Sequence, residues 1–410
     1  MERKELELYV HIPFCMKKCL YCDFLSAPAD EETQREYVEA LLREIRFFGE
    51  RSSDYVVSTI YIGGGTPSWL DEALMAKIME EITHRFLLAK DAEITIECNP
   101  GTVTERKFQT YKKIGINRLS IGLQSVNEKE LQLLGRVHTF DQFLKTYELA
   151  RKTGFTNINV DLMSSLPGQT PKTFANTLQQ VIRLHPEHIS AYSLIIEKGT
   201  PFYETYKFDA VKQRAGMQTE FLPTEDEEYE IGKLTQVVLE KAGYHRYEVS
   251  NYAREGYACR HNIGYWRRTN YLGMGLGAAS LLENIRYTNT SDLYHYIEES
   301  VDIKNVMVPV TLVNQTTVSV PATNLSDTVD VIERNAQMEE FMFLGLRMTQ
   351  GVLREDFERA FGMTIESVYG EVLQPLLQEG LLEKSEGRIF LTDRGMDLNS
   401  YVSSQFLFGN

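Results

Sequence analysis

Hydrophobic residues in the first half of the chain follow two alternating patterns. Short runs rich in Val, Ile, Leu and Tyr indicate buried strands, and the longer stretches between them carry apolar residues at helical spacing. The predicted strands are Leu6–Ile12, Thr59–Gly63, Glu93–Glu97, Arg118–Leu123, Asn157–Leu162 and His188–Leu194. The predicted helices are Thr33–Phe48, Asp71–Phe86, Thr104–Ile114, Glu128–Leu134, Phe140–Thr153 and Thr170–Leu184. We therefore expect an α/β fold built as a partial, open (β/α)6 barrel, because a closed barrel needs eight such units.

The second half of the chain is less regular and predicts two further regions. Residues 226–330 hold one predicted helix, Glu227–Ala242, and then Gly- and Tyr-rich sequence. Their Val/Thr/Asn-rich part, residues 301–330, fits either a β excursion or an insertion. The last region predicts three helices and two short strands, at Glu339–Met348, Arg354–Phe361, Ser367–Glu379, Leu382–Lys384 and Arg388–Leu391. We expect a main domain at 1–225, a connecting segment at 226–330 and a small winged-helix-like α+β domain at 331–410.

The charge and hydropathy of the chain limit its partners. The 43 Lys and Arg residues against 58 Asp and Glu residues give a net charge of −15 at pH 7. Such an acidic chain disfavours non-specific binding to nucleic acid, and no basic stripe follows a helix of the C-terminal region, so we expect no nucleic-acid partner. No apolar run approaches about 18 residues, and the N-terminus lacks a signal-peptide core. We therefore expect no membrane span and a cytoplasmic protein.

Three of the five cysteines crowd into the loop after the first predicted strand. Cys15, Cys19 and Cys22 have the spacing C-x3-C-x2-C. This is a poor disulfide framework and a good metal-site pattern, and soft thiolates suit iron–sulfur clusters. Three ligands for a four-iron cluster leave one iron open to another molecule. The alternative is a zinc knuckle or three unrelated thiols, although zinc usually takes four ligands and His11 is the one imidazole nearby.

Further polar and glycine-rich positions fall at the carboxyl ends of successive predicted strands, where parallel sheets bind their ligands. The second strand ends in the run Gly-Gly-Gly-Thr-Pro at 63–67, and Glu97, Gln124 and Asp161 end the next three strands. Glycines let a ligand approach the backbone closely, and the guanidinium of Arg136 suits a carboxylate. Each polar residue alone fits a capping or solvated role better than a binding role, but their common position at successive strand ends favours one shared site.

The cysteine motif, with Tyr21 before its last cysteine, resembles the signature of the radical SAM superfamily. The resemblance implies a 4Fe-4S cluster on Cys15, Cys19 and Cys22. In that superfamily the open iron binds S-adenosylmethionine (SAM), which one electron cleaves to a 5′-deoxyadenosyl radical. The resemblance also implies SAM contacts at Gly64, Gly65 and Thr66 for the amino group, Arg136 for the carboxylate, Asp161 for the ribose, and Glu97 and Gln124 for the amino acid or sugar.

A narrower resemblance is to the group of the oxygen-independent coproporphyrinogen III oxidases. It rests on an ordered set of segments in the first 200 residues or so, namely YVHIPFC, YIGGGTPS, ECNPGT, RLSIGLQS, LGRVH and DLMSSLPGQT. In that group the residue at the place of Tyr9 also lines the SAM site. The likeness extends to the C-terminal region more weakly.

Two positions resemble one subgroup of these proteins, the HemW-like heme chaperones. The oxidases carry a further cysteine two residues after the third ligand, where this chain has Phe24. The segment HNxxYW, which begins at His261, is a mark of the chaperones and is tied there to heme binding. The resemblance implies heme as cargo, recipient hemoproteins as partners and an electron donor such as flavodoxin or ferredoxin. Without the resemblance, His261 fits a buried structural histidine beside core aromatics.

Three functions remain open from the sequence alone. The first is a heme chaperone with cluster, SAM and heme. The second is an enzyme that decarboxylates two propionates of coproporphyrinogen III through a substrate radical. The third is a radical SAM enzyme acting on an unrelated substrate. Phe24 and the segment around His261 favour the first, and Cys98 and Cys259 fit core packing rather than ligation.

Overall fold

The computed structural model describes residues 3–408, and at its centre lie six parallel strands connected by helices. All six predicted strands are present, which confirms the α/β class. The strands are β1 (Lys4–Ile12), β2 (Tyr55–Gly64), β3 (Leu88–Cys98), β4 (Arg118–Gln124), β5 (Ile158–Ser164) and β6 (His188–Ser193). The helices are α1 (Glu31–Gly49), α2 (Glu72–Arg85), α3 (Glu105–Lys113), α4 (Glu128–Leu133), α5 (Phe140–Lys152) and α6 (Pro171–Ile182).

The side chains of β1 show how the sheet separates an apolar layer from a polar interior. Its residues 6, 8, 10 and 12 are apolar and belong to the core under the helices. Tyr9 and His11 alternate with them and therefore face the concave side of the sheet. Helix α1 supplies the matching apolar surface, with Tyr37, Leu41 and Ile45 fully buried. The site residues consequently lie on the concave side, and the helices pack on the convex side.

The chain continues with elements that extend the same sheet at both edges. They are α7 (Pro201–Arg214), α8 (Glu225–Lys241), β7 (His245–Arg246), β8 (Asn251–Ala253), α9 (Arg260–Trp266), β9 (Tyr271–Met274), β10 (Ala279–Leu282), β11 (Ile285–Asn289), α10 (Leu293–Glu299), β12 (Asn305–Thr311), β13 (Thr317–Thr323) and β14 (Ser326–Val331). The spatial order of the twelve-stranded sheet is β14-β11-β10-β9-β1-β2-β3-β4-β5-β6-β8-β7. The sheet thus runs from one edge strand to another, which confirms the open barrel.

The C-terminal elements form a second, smaller unit with its own apolar core. They are α11 (Arg334–Gly345), β15 (Val352–Leu353), α12 (Arg354–Phe361), α13 (Ile365–Gln378), β16 (Leu382–Ser385), β17 (Arg388–Leu391), α14 (Asp393–Asp397) and α15 (Asn399–Ser404). Three helices followed by a β16–β17 hairpin is the predicted winged-helix-like order. The domain boundaries at 225 and 330 stay predictions; strands from both sides of residue 225 share the large sheet, whereas β15–β17 form a sheet of their own.

Helix α7 was not predicted and helix α11 begins earlier than predicted, whereas residues 301–330 form the β excursion that was one of the two alternatives. Helix α7 carries no clear apolar stripe, because Phe208 and Val211 are exposed while Phe202 and Tyr206 are buried. Residues 301–330 contain the β12–β13 hairpin and β14, which joins the large sheet through β11. Helix α11 begins at Arg334, five residues before the predicted start. Across residues 3–408, no helix combines the length and apolar character needed to cross a membrane.

Candidate cluster and nucleotide site

The loop between β1 and α1 brings three cysteines to one wall of a cavity at the carboxyl ends of the parallel strands. The loop closes on itself because the backbone N–H of Cys15 donates to the carbonyl of Ala27 at 3.1 Å. Cys15, Cys19 and Cys22 all line this space, which we call the cysteine cavity and whose volume is about 340 Å³. A short segment of sequence thus presents three thiols to one ligand-sized space.

Two glycines at the end of β2 pass so close to the cysteine loop that no side chain fits. A Cβ at Gly64 would lie 2.7 Å from Cε1 of His11, and the φ angle of Gly64 is +117°. A Cβ at Gly65 would lie 2.9 Å from the sulfur of Cys15. The hydroxyl of Thr66 donates to that sulfur at 3.4 Å. The glycine run therefore exposes backbone groups directly beside the first cysteine.

Glu97, at the end of β3, places a carboxylate in the wall of the cysteine cavity. It accepts hydrogen bonds from the hydroxyl of Tyr61 at 2.9 Å and from the backbone N–H of Gly64 at 3.1 Å. Burial raises the pKa of Glu97 to about 7, and the nearby carboxylate of Asp161 acts in the same direction. Within residues 3–408 Glu97 forms no ion pair with an arginine or a lysine, so its carboxylate is available to a cation that enters the cavity.

Asp161, on β5, presents a second carboxylate to the same cavity. It accepts from the hydroxyl of Ser120 and from the amide of Asn159, each at 2.8 Å. Burial raises its pKa, while these hydrogen bonds oppose the shift. These hydrogen bonds from β4 and β5 hold the carboxylate of Asp161 in one orientation.

Arg136 reaches the cavity from the turn after α4. Its Nη2 donates to the carbonyl of Gly122 at 2.8 Å and to Oδ1 of Asn99 at 2.5 Å, and its Nη1 lies 3.6 Å from the sulfur of Cys19. Its Nε is buried and has no hydrogen-bond partner among residues 3–408. Gln124, with a φ angle of +70°, ends β4 in the left-handed region and lines the cavity beside this guanidinium.

The structure brings together most of the site residues predicted from the sequence. The predicted residues that line the cysteine cavity are Cys15, Cys19, Cys22, Gly64, Gly65, Thr66, Glu97, Gln124, Arg136 and Asp161. Tyr9 does not line it; its hydroxyl lies 3.0 Å from Nδ1 of His11, and its ring stacks at 6.4 Å on Tyr61, which does. Tyr61 and Ser120 also line the cavity and were missed; Tyr61 lies three residues before Gly64 on β2, and Ser120 lies four residues before Gln124 on β4.

The other two cysteines are buried. Cys98 lies at the end of β3 and contributes to the cavity wall, and burial raises the pKa of its thiol. The thiol of Cys259 donates to Oε1 of Glu93 at 3.4 Å, and burial raises its pKa to about 12. Among residues 3–408, no three His, Cys, Asp or Glu side chains are close enough to share a single metal ion.

His261 lies on α9, which packs against β2, and the residue is 1% exposed. Its Nδ1 is 2.7 Å from the hydroxyl of Thr59, and its Nε2 is 3.1 Å from the hydroxyl of Tyr265. Burial, together with the charge of Arg118, lowers its pKa to about 3. Both ring nitrogens are engaged, so any contact of His261 with an iron requires one of these two bonds to break.

A second cavity lies beside α9, on the other side of the Tyr9–Tyr61 pair from the cysteine cavity. Its volume is about 360 Å³, and we call it the tyrosine cavity. It is lined by Tyr9, Tyr265, Trp266, Tyr271, Ala279, Leu281, Arg286 and Leu344. Most of its wall is aromatic or aliphatic, and Arg286 supplies its one cation. Such a wall suits a flat apolar ligand that carries an anionic group.

The comparisons with known proteins agree with this geometry. Residues 9–181 match the profile of the radical SAM superfamily, and residues 332–398 match that of the HemN C-terminal domain. The heme chaperone HemW of Lactococcus lactis is 34% identical over 407 residues, covering 99% of this chain and 98% of that protein. HemW of Bacillus subtilis is 34% identical and covers 97% of this chain and 98% of its own length. HemW of Escherichia coli is 41% identical, with 67% of this chain and 69% of its own length covered.

A solved structure shares the fold over the whole chain. It is coproporphyrinogen III oxidase (HemN) from Escherichia coli, with a TM-score of 0.79 and 24% sequence identity, covering 100% of this chain and 91% of the oxidase. At that identity the likeness concerns the fold. The similarity to several HemW proteins, by contrast, extends over nearly the full length of each chain. The chain therefore belongs to the radical SAM superfamily and, within it, to the HemW family.

Proposed function

We propose that this protein is a cytoplasmic heme chaperone that holds a 4Fe-4S cluster and SAM in the cysteine cavity and carries heme beside α9. The observation that supports it most is the end-to-end similarity to HemW proteins, at 34% identity over 99% of the chain. That match spans the cysteine loop, α9 and the C-terminal unit together. Recipient hemoproteins are the proposed partners, and a flavodoxin or ferredoxin is the proposed electron donor.

The cysteine cavity suits the cluster because two polar neighbours direct hydrogen-bond donors at cysteine sulfurs. These neighbours are Thr66 and Arg136. Hydrogen bonds and positive charge near the sulfurs stabilise a cluster that carries net negative charge. We propose Cys15, Cys19 and Cys22 as the ligands. When bound, the cluster supplies the electron that cleaves SAM.

The same cavity offers one partner for each polar part of SAM. The carboxylate of Glu97 and the backbone beside Gly64 and Gly65 suit the ammonium group. The unpartnered Nε of Arg136 suits the methionyl carboxylate. The oriented carboxylate of Asp161 suits the ribose hydroxyls, as expected for a nucleoside site. Gln124 lines the same cavity.

The tyrosine cavity suits part of a porphyrin better than the cysteine cavity does. Four of its lining residues are tyrosine or tryptophan, and aromatic rings pack well on a flat macrocycle. Arg286 is placed to pair with a propionate, although Glu340 now binds it at 3.0 Å. We propose that heme binds here, next to His261, and that Tyr265 moves when it does.

The alternative activity, oxidation of coproporphyrinogen III, would use the cysteine cavity alone. Phe24 lines that cavity and is 60% exposed, at the position where the resemblance to the oxidases calls for a cysteine. An apolar ring there offers neither a proton nor a ligand to a substrate. We therefore propose that the chain does not turn over this substrate.

One sample can separate the two functions. Anaerobically reconstituted protein is titrated with hemin, the loaded protein is mixed with an apo-hemoprotein, and a second portion receives coproporphyrinogen III, SAM and a reductant. We expect stoichiometric heme binding, heme transfer to the acceptor and no vinyl porphyrin. Vinyl porphyrin formed over many turnovers would contradict the chaperone assignment and establish the oxidase.

A further inference from the structure

The ring of Tyr265 stands between His261 and the tyrosine cavity. Tyr265 meets the imidazole edge-on, with ring centroids 4.7 Å apart, and meets Tyr271 in the same way at 4.6 Å. Tyr265 and Tyr271 both line the cavity, whereas His261 does not. The hydroxyl of Tyr265 holds Nε2 at 3.1 Å. If this ring turned aside, Nε2 would be the atom of His261 that faces the cavity.

The opposite nitrogen of His261 faces a closed polar pocket. Nδ1 lies 2.7 Å from the hydroxyl of Thr59 and 3.9 Å from Oε2 of Glu7. The carboxyl of Glu7 also interacts with the hydroxyl of Thr59. Glu7 is 1% exposed, and its Oε2 has no hydrogen-bond partner among the described residues. A buried carboxyl with an oxygen that lacks a hydrogen-bond partner costs stability, and this one lies beside Nδ1 of His261.

The approach of Glu7 to α9 depends on a glycine. A Cβ at Gly264 would overlap the carboxyl of Glu7, which leaves no room for any other residue at that position. Gly264 lies one turn after His261 on α9, so the same helix supplies both the imidazole and the gap that admits the carboxyl. The arrangement of Glu7, Thr59 and His261 is therefore built into the contact of α9 with β1 and β2.

We propose that Thr59 and Glu7 are positioning residues that keep the proton of His261 on Nδ1, so that Nε2 ligates the iron of heme once the hydroxyl of Tyr265 leaves it. The inference rests on the proposed heme-chaperone function. An iron–Nε2 bond uses the lone pair of Nε2 and leaves the proton on Nδ1, which then needs an acceptor. The oxygen of Thr59 accepts a hydrogen bond from Nδ1–H, and the hydroxyl of Thr59 donates in turn to the carboxyl of Glu7. On the imidazole, the bond that is lost is the one from the hydroxyl of Tyr265.

The first test compares heme bound to Thr59→Val, Thr59→Ser and Glu7→Gln with heme bound to the unmodified protein. We expect Thr59→Val to weaken hemin binding about tenfold, as loss of a partner behind a metal-bound histidine does, and to raise the reduction potential of the bound heme. Thr59→Ser keeps a hydroxyl and is expected to restore both values. Glu7→Gln should shift the potential in the same direction as Thr59→Val. An unchanged cluster absorption shows that each variant is folded.

The second test concerns the hydroxyl that covers Nε2. Tyr265→Phe keeps the ring and removes the hydrogen bond, so hemin should associate about fivefold faster than with the unmodified protein. His261→Ala should lose the absorption and electron paramagnetic resonance signals of an imidazole-bound heme. His261→Ala could lose heme while Thr59→Val keeps the affinity and reduction potential of the unmodified protein. That result would overturn the positioning role of Thr59 and leave the proposed function standing. Unmodified protein that binds no heme would overturn the proposed function and the inference with it.

Discussion

Glu97 is the residue whose ionisation should control SAM binding. Burial and Asp161 raise its pKa to about 7, so Glu97 takes up a proton as the pH falls through that value. A protonated carboxyl loses the charge that attracts an ammonium group. We predict that SAM affinity decreases as the pH is lowered from about 8 to about 6. Equilibrium binding to the reconstituted protein measures this effect.

Glu97→Gln provides the matched control for this pH dependence. The amide keeps the shape of the carboxyl but cannot ionise, so binding should be weak at every pH and the profile should be flat between pH 6 and pH 8. A variant that binds SAM as tightly as the unmodified protein, with the same profile, would remove Glu97 from the nucleotide site.

Gly65 tests the close contact between β2 and the cysteine loop. A Cβ there would lie 2.9 Å from both the sulfur of Cys15 and the carbonyl oxygen of Phe14, and a backbone oxygen cannot move aside easily. We predict that Gly65→Ala displaces Cys15 and lowers the iron content after reconstitution at least several-fold. Gly232→Ala is the control, because a Cβ at this position in α8 meets nothing within 4 Å. Equal iron content in both variants would contradict the proposed role of the glycine run.

The residues of the cysteine cavity and the surroundings of His261 differ in how far the sequence could predict them. Glu97, Gln124 and Asp161 could be predicted because the ends of parallel strands meet at one edge of a sheet. The surroundings of His261 could not, since they depend on how α9 packs against β1 and β2 from about 200 residues away in the chain. The hydrogen-bond partners of its two nitrogens became evident only from the structure.

At the scale of elements, Glu44 links α1 to the strands β9–β11 and to α10. It is fully buried and accepts from the hydroxyl of Tyr296 at 2.5 Å, from the amide of Asn289 at 2.6 Å and from the backbone N–H of Gly275 at 2.8 Å. Burial raises its pKa from 4.5 to about 7. At pH values between 4.5 and about 7, Glu44 is more often protonated in the folded protein than in the unfolded chain. The contribution of Glu44 to the free energy of unfolding therefore decreases as the pH rises through this range.

Glu44→Gln is predicted to remove that contribution. The free energy of unfolding of the unmodified protein should fall, relative to that of the variant, as the pH increases from about 4.5 to about 7, and the difference should then stay constant. Urea unfolding at several pH values measures it. Glu36→Gln, an exposed position on the same helix, is the control and should change the profile little. Parallel profiles for Glu44→Gln and the unmodified protein would show that Glu44 is not the group responsible.

The elements predicted from sequence were those with a clear period. The strands β1–β6 and the helices α1–α6 carry apolar residues on one defined face, so their existence was evident and only their ends shifted. Helix α7 and the β12–β13 hairpin expose several large apolar residues, including Phe208, Val211 and Met307, which hides the period. Their structure is set by tertiary contacts rather than by local pattern.

At the scale of the whole molecule, Glu340 joins the C-terminal unit to the sheet. It binds Arg268 at 2.9 Å and Arg286 at 3.0 Å, and the side chains of Glu340 and Arg268 are both about 10% exposed. Removing Glu340 leaves the buried charge of Arg268 without its carboxylate partner. We predict that Glu340→Ala destabilises the protein by about 3 kcal/mol and makes the junction near Arg334 sensitive to protease.

Limited proteolysis and thermal unfolding, compared with Glu358→Ala, test this prediction. Glu358 is exposed on α12 and makes no side-chain ion pair among the described residues, so its loss should change little. Equal protease resistance of the two variants would show that the apolar core, rather than Glu340, holds the C-terminal unit in place.

We propose that three thiols hold an iron–sulfur cluster whose free iron binds SAM. The most direct measurement is the metal and sulfide content of anaerobically purified and reconstituted protein, with its SAM binding, beside that of Cys19→Ala. We predict about four iron and four sulfide per chain, SAM binding that depends on the cluster, and loss of both in the variant. Zinc in place of iron, or a complete four-iron cluster in Cys19→Ala, would contradict the account.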